Sequence, residues 1–532
     1  MSDNQTVAPT FRSAPEPLSD RPPTVAPVSD RRSDFEPKIV AFVCNWCTYL
    51  GADLAGTTRR EYPPNVRIIR LPCTGRIDFN LIIKAFEIGA DSVLVSGCHP
   101  GDCHYTSGNY HARRRWILFR ELLQALGFDL ERIHFTWISA AEGHKWQQTV
   151  REITEKTRQM GPYKYLCGAE FTSLRSGDFT SPRSADSTSE LSKLESPSSA
   201  ACGSAAQMCG KPPAFRPAPD HLSSPAQAGR LGLPPCAENI VEGMRLAERR
   251  SLSASQPAEP QVVQALREAC RRLLADGKAK VVIGYGKCGP VFVTRPEDVE
   301  QLVWNEQCLA NLTVYLKRKE IRALGRPAIV VKGCDERALV VLEKESQIDR
   351  KEMHVIGMAC QGMGQAKCET CEVHLPRFAD EVIGEADKHP AVTGERWKSL
   401  EALLVLPAAE RMAYWAREFE RCVKCYACRQ VCPMCYCERC LVEKNRPTEI
   451  APSATPKGNF AWHILRAFHL AGRCVGCDEC TRACPAGIDL RLLNLSLAKA
   501  AEEHFAYRAG MDPKAELLIG AYSLQDKENF IR

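Results

Sequence analysis

The stretch RCVKCYACRQVCPMCYCERC, residues 421–440, puts seven cysteines into twenty positions. Cys422, Cys425, Cys428 and Cys432, with Pro433 after the last, follow C-x2-C-x2-C-x3-C-P, the spacing that wraps an iron–sulfur cubane. The pattern returns in RCVGCDECTRACPAG, where Cys474, Cys477, Cys480 and Cys484 precede Pro485. Four thiolates must reach the corners of one cubane, and a short loop supplies three before the chain turns away. The fourth cysteine of each run then crosses to the other cluster. This predicts one [4Fe-4S] cluster on Cys422, Cys425, Cys428 and Cys484, and a second on Cys474, Cys477, Cys480 and Cys432. A zinc ribbon needs one C-x2-C pair per run and leaves the third cysteine and the Cys-Pro unexplained.

The paired runs resemble bacterial two-cluster ferredoxins, which places a small dicluster module over residues 415–500 and a C-terminal tail over 501–532. ERMAYWAREFE before the first run and GNFAWHILRAFHLAG between the two are amphipathic. They read as packing helices, Trp462 and His463 included.

At 532 residues, 25% of them charged, the chain is long enough for several domains. Its 27 cysteines fall largely in short runs, which favours metal over a disulfide framework. The formal charge of +6 is spread without a basic block, so the sequence offers no nucleic-acid footprint. Residues 1–37 form a polar, proline-rich arm without the apolar region of a secretory signal. No run of about 18 apolar residues suggests a membrane helix. The expectation is a cytoplasmic protein with reduced thiols. Residues 161–260 are rich in Ser, Pro and Ala and read as a disordered linker, in which Cys167, Cys202, Cys209 and Cys236 are incidental.

Residues 38–160 alternate apolar runs (KIVAFVC, VRIIRLPC, SVLVSGC, IHFTWIS) with amphipathic stretches, the pattern of a parallel sheet covered by helices. Cys44, Cys73 and Cys98 end the first three strands, and Cys47 and Cys103 lie on loops over the same edge. In open α/β sheets that edge binds ligands. A histidine ligand from His99, His104 or His111, or zinc in place of the cluster, is the competing expectation. CNWCTYLGADLAG, YPPNVRIIRLPCTGR and GADSVLVSGCHPGDCHY resemble the delta subunit of methyl-viologen-reducing hydrogenase. That resemblance implies one [2Fe-2S] cluster on four of Cys44, Cys47, Cys73, Cys98 and Cys103. It also implies electron passage between the catalytic subunit of a hydrogenase or formate dehydrogenase and the flavoprotein subunit of a heterodisulfide reductase-like enzyme.

Residues 261–414 repeat the α/β rhythm, with strands at KVVIGYG, PVFVT, AIVVKGC and MHVIGMAC and helices at PEDVEQLVWNEQ and RALVVLEKESQ. GYGKCG matches G-x-G-x-x-G, but a strand opened by proline follows where a helix must face a pyrophosphate, so the glycines read as a turn. VVKGCDERALVVL, VIGMACQGM and PVFVTRPEDVEQL resemble the beta subunit of deazaflavin-coenzyme hydrogenases and formate dehydrogenases. That resemblance implies FAD and further [4Fe-4S] clusters. The fold class expected for the whole is α/β: two parallel-sheet α/β domains joined by a disordered linker, plus the dicluster module.

Cys435, Cys437 and Cys440 remain after the first run is complete. The middle region has its own surplus in Cys288, Cys308, Cys334, Cys360, Cys368 and Cys371. Three thiolates from 435 to 440 with at least one from the middle region would make another [4Fe-4S] site, and the remainder one more. With no nucleophile–base arrangement, the functional reading is an iron–sulfur electron-transfer subunit, serving flavin-based bifurcation if it docks on a heterodisulfide reductase-like flavoprotein. The alternatives are an FAD-containing oxidoreductase subunit that works on a deazaflavin or nicotinamide coenzyme, and a zinc-stabilised scaffold.

Overall fold

Four short apolar strands separated by amphipathic helices leave the chain one compact solution, a parallel sheet with helices on its faces. In the computed structural model, β1 (Ile39–Cys44), β2 (Val66–Leu71), β3 (Ser92–Gly97) and β4 (Ile133–Trp137) form such a sheet in the order β2-β1-β3-β4. All pairings are parallel, with Phe42 opposite both Ile69 and Val95. Helices α1 (Thr48–Thr57), α2 (Asn80–Glu87), α3 (Gly108–Ala125) and α4 (Gly143–Met160) complete the unit. The strand order reverses between β1 and β3, and the crevice at such a switch point is where a doubly wound sheet accepts a ligand.

The structure describes residues 35–165, 261–386, 396–440, 442 and 453–528. Most of the N-terminal arm, and the linker from 166 to 260 with Cys167, Cys202, Cys209 and Cys236, lie outside the described residues. The start of that linker is corrected. Tyr163 is buried against Phe86 and Phe128, and its backbone N–H donates to Asp91 Oδ1 at 2.9 Å, so the ordered domain continues past residue 161.

The middle region begins with α5 (Gln261–Ala275) and builds a five-stranded sheet ordered β6-β5-β7-β8-β9. β5 (Val281–Gly286), β7 (Pro327–Val331), β8 (His354–Met358) and β9 (Glu381–Ile383) are parallel, whereas β6 (Gly289–Val293) is an antiparallel edge strand. GYGKCG is therefore the tip of a hairpin, with Gly289 at φ +126°. Two expectations differ in detail. PEDVEQLVWNEQ forms only a short 3-10 turn over Pro296–Gln301 before the chain runs irregularly, and β9 carried too few residues to show a period. α6 (Gly333–Lys344) follows β7 directly.

The dicluster module is built on α7 (Ala408–Glu420), α8 (Pro456–His469) and α9 (Leu490–Phe505). Its core is not separate from that of the first domain. Phe79, Phe119, Trp415, Phe419, Phe460, Phe468 and Leu493 belong to one continuous buried cluster. Phe79 and Phe468 pack with ring centroids 5.1 Å apart. The C-terminal segment, expected as a plain tail, straps the pieces together. Arg114 forks onto Asp526 with two 2.9 Å bonds, Arg113 pairs with Glu528, and Arg337 of α6 donates to the Ala509 carbonyl at 2.8 Å. Among the described residues no helix is long and apolar enough to cross a membrane.

Candidate metal centres

Cys44 ends β1 and Cys98 follows β3, so the parallel pairing of these strands sets the two thiols side by side at the switch point. Their sulfurs are 3.5 Å apart. Cys73, after β2, and Cys103, on the loop before α3, form a second pair at 3.7 Å. Among the described residues, one group of three or more metal-ligating side chains has all its donor atoms within 4.8 Å of one another: Cys44, Cys47 and Cys98. Backbone N–H groups point at the sulfurs, from Cys47 to Cys44 at 3.3 Å and from Gly75 to Cys73 at 3.4 Å. Gly108 leaves the room: a side chain there would strike the Cys73 sulfur and stand 3.3 Å from that of Cys103.

The thiol of Cys98 donating to Cys44 draws Cys44 down to about 5, and Cys98 itself is pushed up. Burial pushes Cys73 up to about 11. Thiols crowded in this way need a cation to be held as thiolates together, which is what a metal centre supplies. The histidines stand aside. His99 Nε2 is 2.7 Å from Glu142 Oε2, and His104 stacks on Trp46 at the rim with centroids 3.8 Å apart.

The two ferredoxin-type runs share one backbone course, each position of the first matched 52 residues later. Lys424 and Gly476 have φ of 50° and 70°, and Tyr426 and Asp478 have φ of 60° and 64°. Three of these four are not glycine, and such left-handed conformations persist only where the surroundings hold them. Asn459 on α8 donates to the carbonyls of Phe419 and Cys422 at 3.0 and 2.7 Å, and Arg466 to that of Cys428 at 2.9 Å. Cys422, Cys425, Cys428 and Cys484 line one small cavity, and Cys432 joins Cys474, Cys477 and Cys480 on another. The structure thus gathers the cysteines in the crossed grouping. Burial pushes Cys428 and Cys474 up to about 11 and Cys480 to about 12.

The second of these cavities, about 120 Å³, has another wall from the middle region, with Cys334, Cys360, Cys368 and Cys371. Cys334 sits in the first turn of α6, which a buried network fixes in place. Asp335 Oδ2 lies 2.7 Å from Lys332 Nζ and accepts from Tyr285 Oη at 3.1 Å. Cys360 follows β8 and bonds through its N–H to the His374 carbonyl at 2.9 Å. The Met363 N–H reaches the Cys368 sulfur at 3.3 Å. Lys367 spans the gap and donates to the Cys477 carbonyl at 2.6 Å.

One expectation is corrected here. Cys435, Cys437 and Cys440 line a different cavity, beside α8, from the one that holds Cys334, Cys360, Cys368 and Cys371. Their segment still touches the middle region, where Lys317 donates to the Pro433 carbonyl and Lys319 pairs with Glu438 at 2.8 Å. Cys288 is exposed on the β5–β6 hairpin, and Cys308 is buried in the middle region's own apolar core. Sequence spacing alone missed three basic residues that tie these loops down, Arg466, Lys367 and Arg473. They carry no motif, and each bonds a loop far from its own position: Arg466 and Arg473 the carbonyls of Cys428 and Met434, 38 and 39 residues earlier, and Lys367 that of Cys477, 110 residues later.

Residues 39–161 match the family described as methyl-viologen-reducing hydrogenase, delta subunit, and residues 421–489 match a 4Fe-4S dicluster domain. The chain is 54% identical over 129 residues to an iron-sulfur subunit of the F420-non-reducing hydrogenase vhc of Methanococcus voltae, covering 24% of this chain and 90% of that protein. An iron-sulfur subunit of the F420-non-reducing hydrogenase of Archaeoglobus profundus is 48% identical over 132 residues, covering 25% and 96%. One polypeptide of the ferredoxin/F420H2-dependent CoB-CoM heterodisulfide reductase of Methanosarcina acetivorans is 42% identical over 135 residues, 25% of this chain and 16% of that one. Through residues 39–161, the chain belongs to the methyl-viologen-reducing hydrogenase delta subunit family.

Proposed function

We propose that this chain is an iron–sulfur electron relay that joins two redox partners through its two ends. The observation that carries the reading is the shared cavity in which Cys432, Cys474, Cys477 and Cys480 face Cys334, Cys360, Cys368 and Cys371. Two four-thiol sets on one cavity suit electron exchange between neighbouring [4Fe-4S] clusters. In this reading the middle-region set holds its own cubane, with Lys367 bridging the two sites.

At the other end, a [2Fe-2S] cluster sits on the two close pairs, Cys44 with Cys98 and Cys73 with Cys103. Two thiolates bound tetrahedrally to one metal at about 2.3 Å stand roughly 3.8 Å apart, and both pairs already have that spacing. Cys47 is the spare. The relatives' names, a hydrogenase iron-sulfur subunit and a heterodisulfide reductase polypeptide, support association of this domain with a hydrogenase or a reductase. In this reading the partners are the flavoprotein of a heterodisulfide reductase-like enzyme and the catalytic subunit of a hydrogenase or formate dehydrogenase. Flavin-based bifurcation would then use the partner's flavin.

Anaerobic isolation, with iron, zinc and flavin quantified beside EPR of the reduced protein, tests the reading. Iron with cubane and [2Fe-2S] signals is the expected result. Zinc in place of iron sinks it in favour of the scaffold. A stoichiometric flavin places FAD in the middle region and turns the relay into an oxidoreductase subunit.

A further inference from the structure

The relay reading leaves Cys435, Cys437 and Cys440 unused, although they sit where its parts meet. They line a cavity of about 440 Å³ whose walls come from the first domain, from α8, from the C-terminal segment and, through Glu345, from the middle region. Arg115 is the first domain's contribution, and it also donates to the carbonyls of Gly75 and Ile77 at 3.1 and 2.9 Å, two and four residues beyond Cys73. Cys435 is three residues from Cys432, which lines the cavity of the second ferredoxin-type set. Arg115 thus links the pocket to the loop after Cys73, and Cys435 links it to the second ferredoxin-type set.

Its chemistry is that of an anion-accepting metal site. Arg115, Arg429, Arg466 and Arg473 line it, while Glu345, the one carboxylate among the described lining residues, is already paired with Arg473. Arg466 is only 6% exposed and its Nε–H has no acceptor, a cost that persists unless something in an adjoining cavity takes the bond. His469, at the end of α8, lines the same cavity and adds a nitrogen donor.

We infer that Cys435, Cys437, Cys440 and His469 hold a further [4Fe-4S] cluster at this junction, a stepping stone between the [2Fe-2S] site and the dicluster module. This rests on the relay reading. A cluster suits the site better than zinc because, among the described residues, the three thiols do not all lie within 4.8 Å of one another, whereas thiolates on one tetrahedral ion stand roughly 3.8 Å apart. They are spread more widely, as the two ferredoxin-type sets are. The step is a one-electron transfer: one neighbouring cluster is oxidised as this one is reduced, and the other is reduced as it is reoxidised. The arginines offset the charge of the thiolate cluster, and a histidine ligand raises its potential relative to four thiolates.

The test uses the full chain purified anaerobically. Cys437→Ser/Cys440→Ser should lose about four irons per chain while the EPR signals of both ferredoxin-type clusters persist. In His469→Cys, which keeps four donors, one cluster should shift to lower midpoint potential with iron content unchanged. Unchanged iron and spectra in the double variant overturn the inference, as does loss of zinc in place of iron or an unshifted potential in His469→Cys. Wild-type protein lacking the ferredoxin-type signals would instead overturn the relay reading, so the two failures are distinct.

Discussion

The Trp415 indole N–H donates to the backbone carbonyl of Ala125 at 3.3 Å, across 290 positions of sequence. Trp415 lies on α7 of the dicluster module and Ala125 closes α3 of the first domain, so this one bond records that the two are packed as a unit. Beside it Gly127, at φ +80°, lies against the backbone of Ala408 and Met412, too close for any Cβ. Trp415→Ala should cost about 3–5 kcal/mol through the cavity it leaves. Gly127→Ala should also destabilise, by forcing the helices apart. Denaturant unfolding of the anaerobic protein, followed by far-UV circular dichroism, measures both; wild-type stability in either variant would contradict the shared core.

The crossed cysteine grouping separates two variants that a simple reading of the runs would treat alike. Cys484→Ser should abolish the cluster held with Cys422, Cys425 and Cys428 and spare the other. Cys432→Ser should do the reverse. Redox titration followed by EPR distinguishes the two clusters, and loss of the cluster belonging to the variant's own run would show that the chain does not cross.

In the first domain Cys47→Ser should retain the [2Fe-2S] signal, whereas Cys73→Ser should lose it. Visible circular dichroism reads this directly. A site built on the Cys44, Cys47 and Cys98 triplet would give the opposite pattern, with Cys73→Ser silent.

Cys360→Ser/Cys371→Ser should remove about four irons per chain without disturbing either ferredoxin-type signal. The same double variant should slow reduction of the dicluster module by a donor acting at the middle region, seen by stopped flow. Unaltered iron content would leave the middle region without its cluster.

His463 supplies a pH dependence. It is buried, stacked on Phe419 with centroids 4.5 Å apart, and faces Arg466 and Lys424. Burial first, then these two cations, holds its pKa down to about 3 against an ordinary value of 6.5. The unfolded chain therefore takes up a proton that the folded one refuses. Stability from the neutral ring is complete above pH 6.5 and is lost as pH falls from there toward 3. His463→Leu should flatten the slope of unfolding free energy between pH 7 and pH 5, the range most easily measured; an unaltered slope would mean that other groups set it.

Cysteine spacing announced the dicluster module, because each C-x2-C-x2-C-x3-C-P run carries its ligand geometry locally. The period of the strands announced the first sheet, and Cys44, Cys73 and Cys98 could be set on its carboxyl edge from the strand ends alone. The middle sheet was legible for the same reason, except where β9 is three residues long and PEDVEQLVWNEQ has helical composition but packs as an irregular segment.

What the sequence by itself determined, then, is the local chemistry: which cysteines belong to short-range runs, and which apolar stretches become strands. Only the tertiary structure decided which thiols share a cavity. Cys435, Cys437 and Cys440 follow Pro433 into a segment that touches Lys317 and Lys319 of the middle region, yet they share a cavity with α8 and the C-terminal segment and not the one lined by the middle-region cysteines. The joining of the first domain to the dicluster module was equally invisible. Amphipathic helices show that a face is buried but not against what, and here Trp415 finds its acceptor at Ala125 across a linker that carries no sign of the contact.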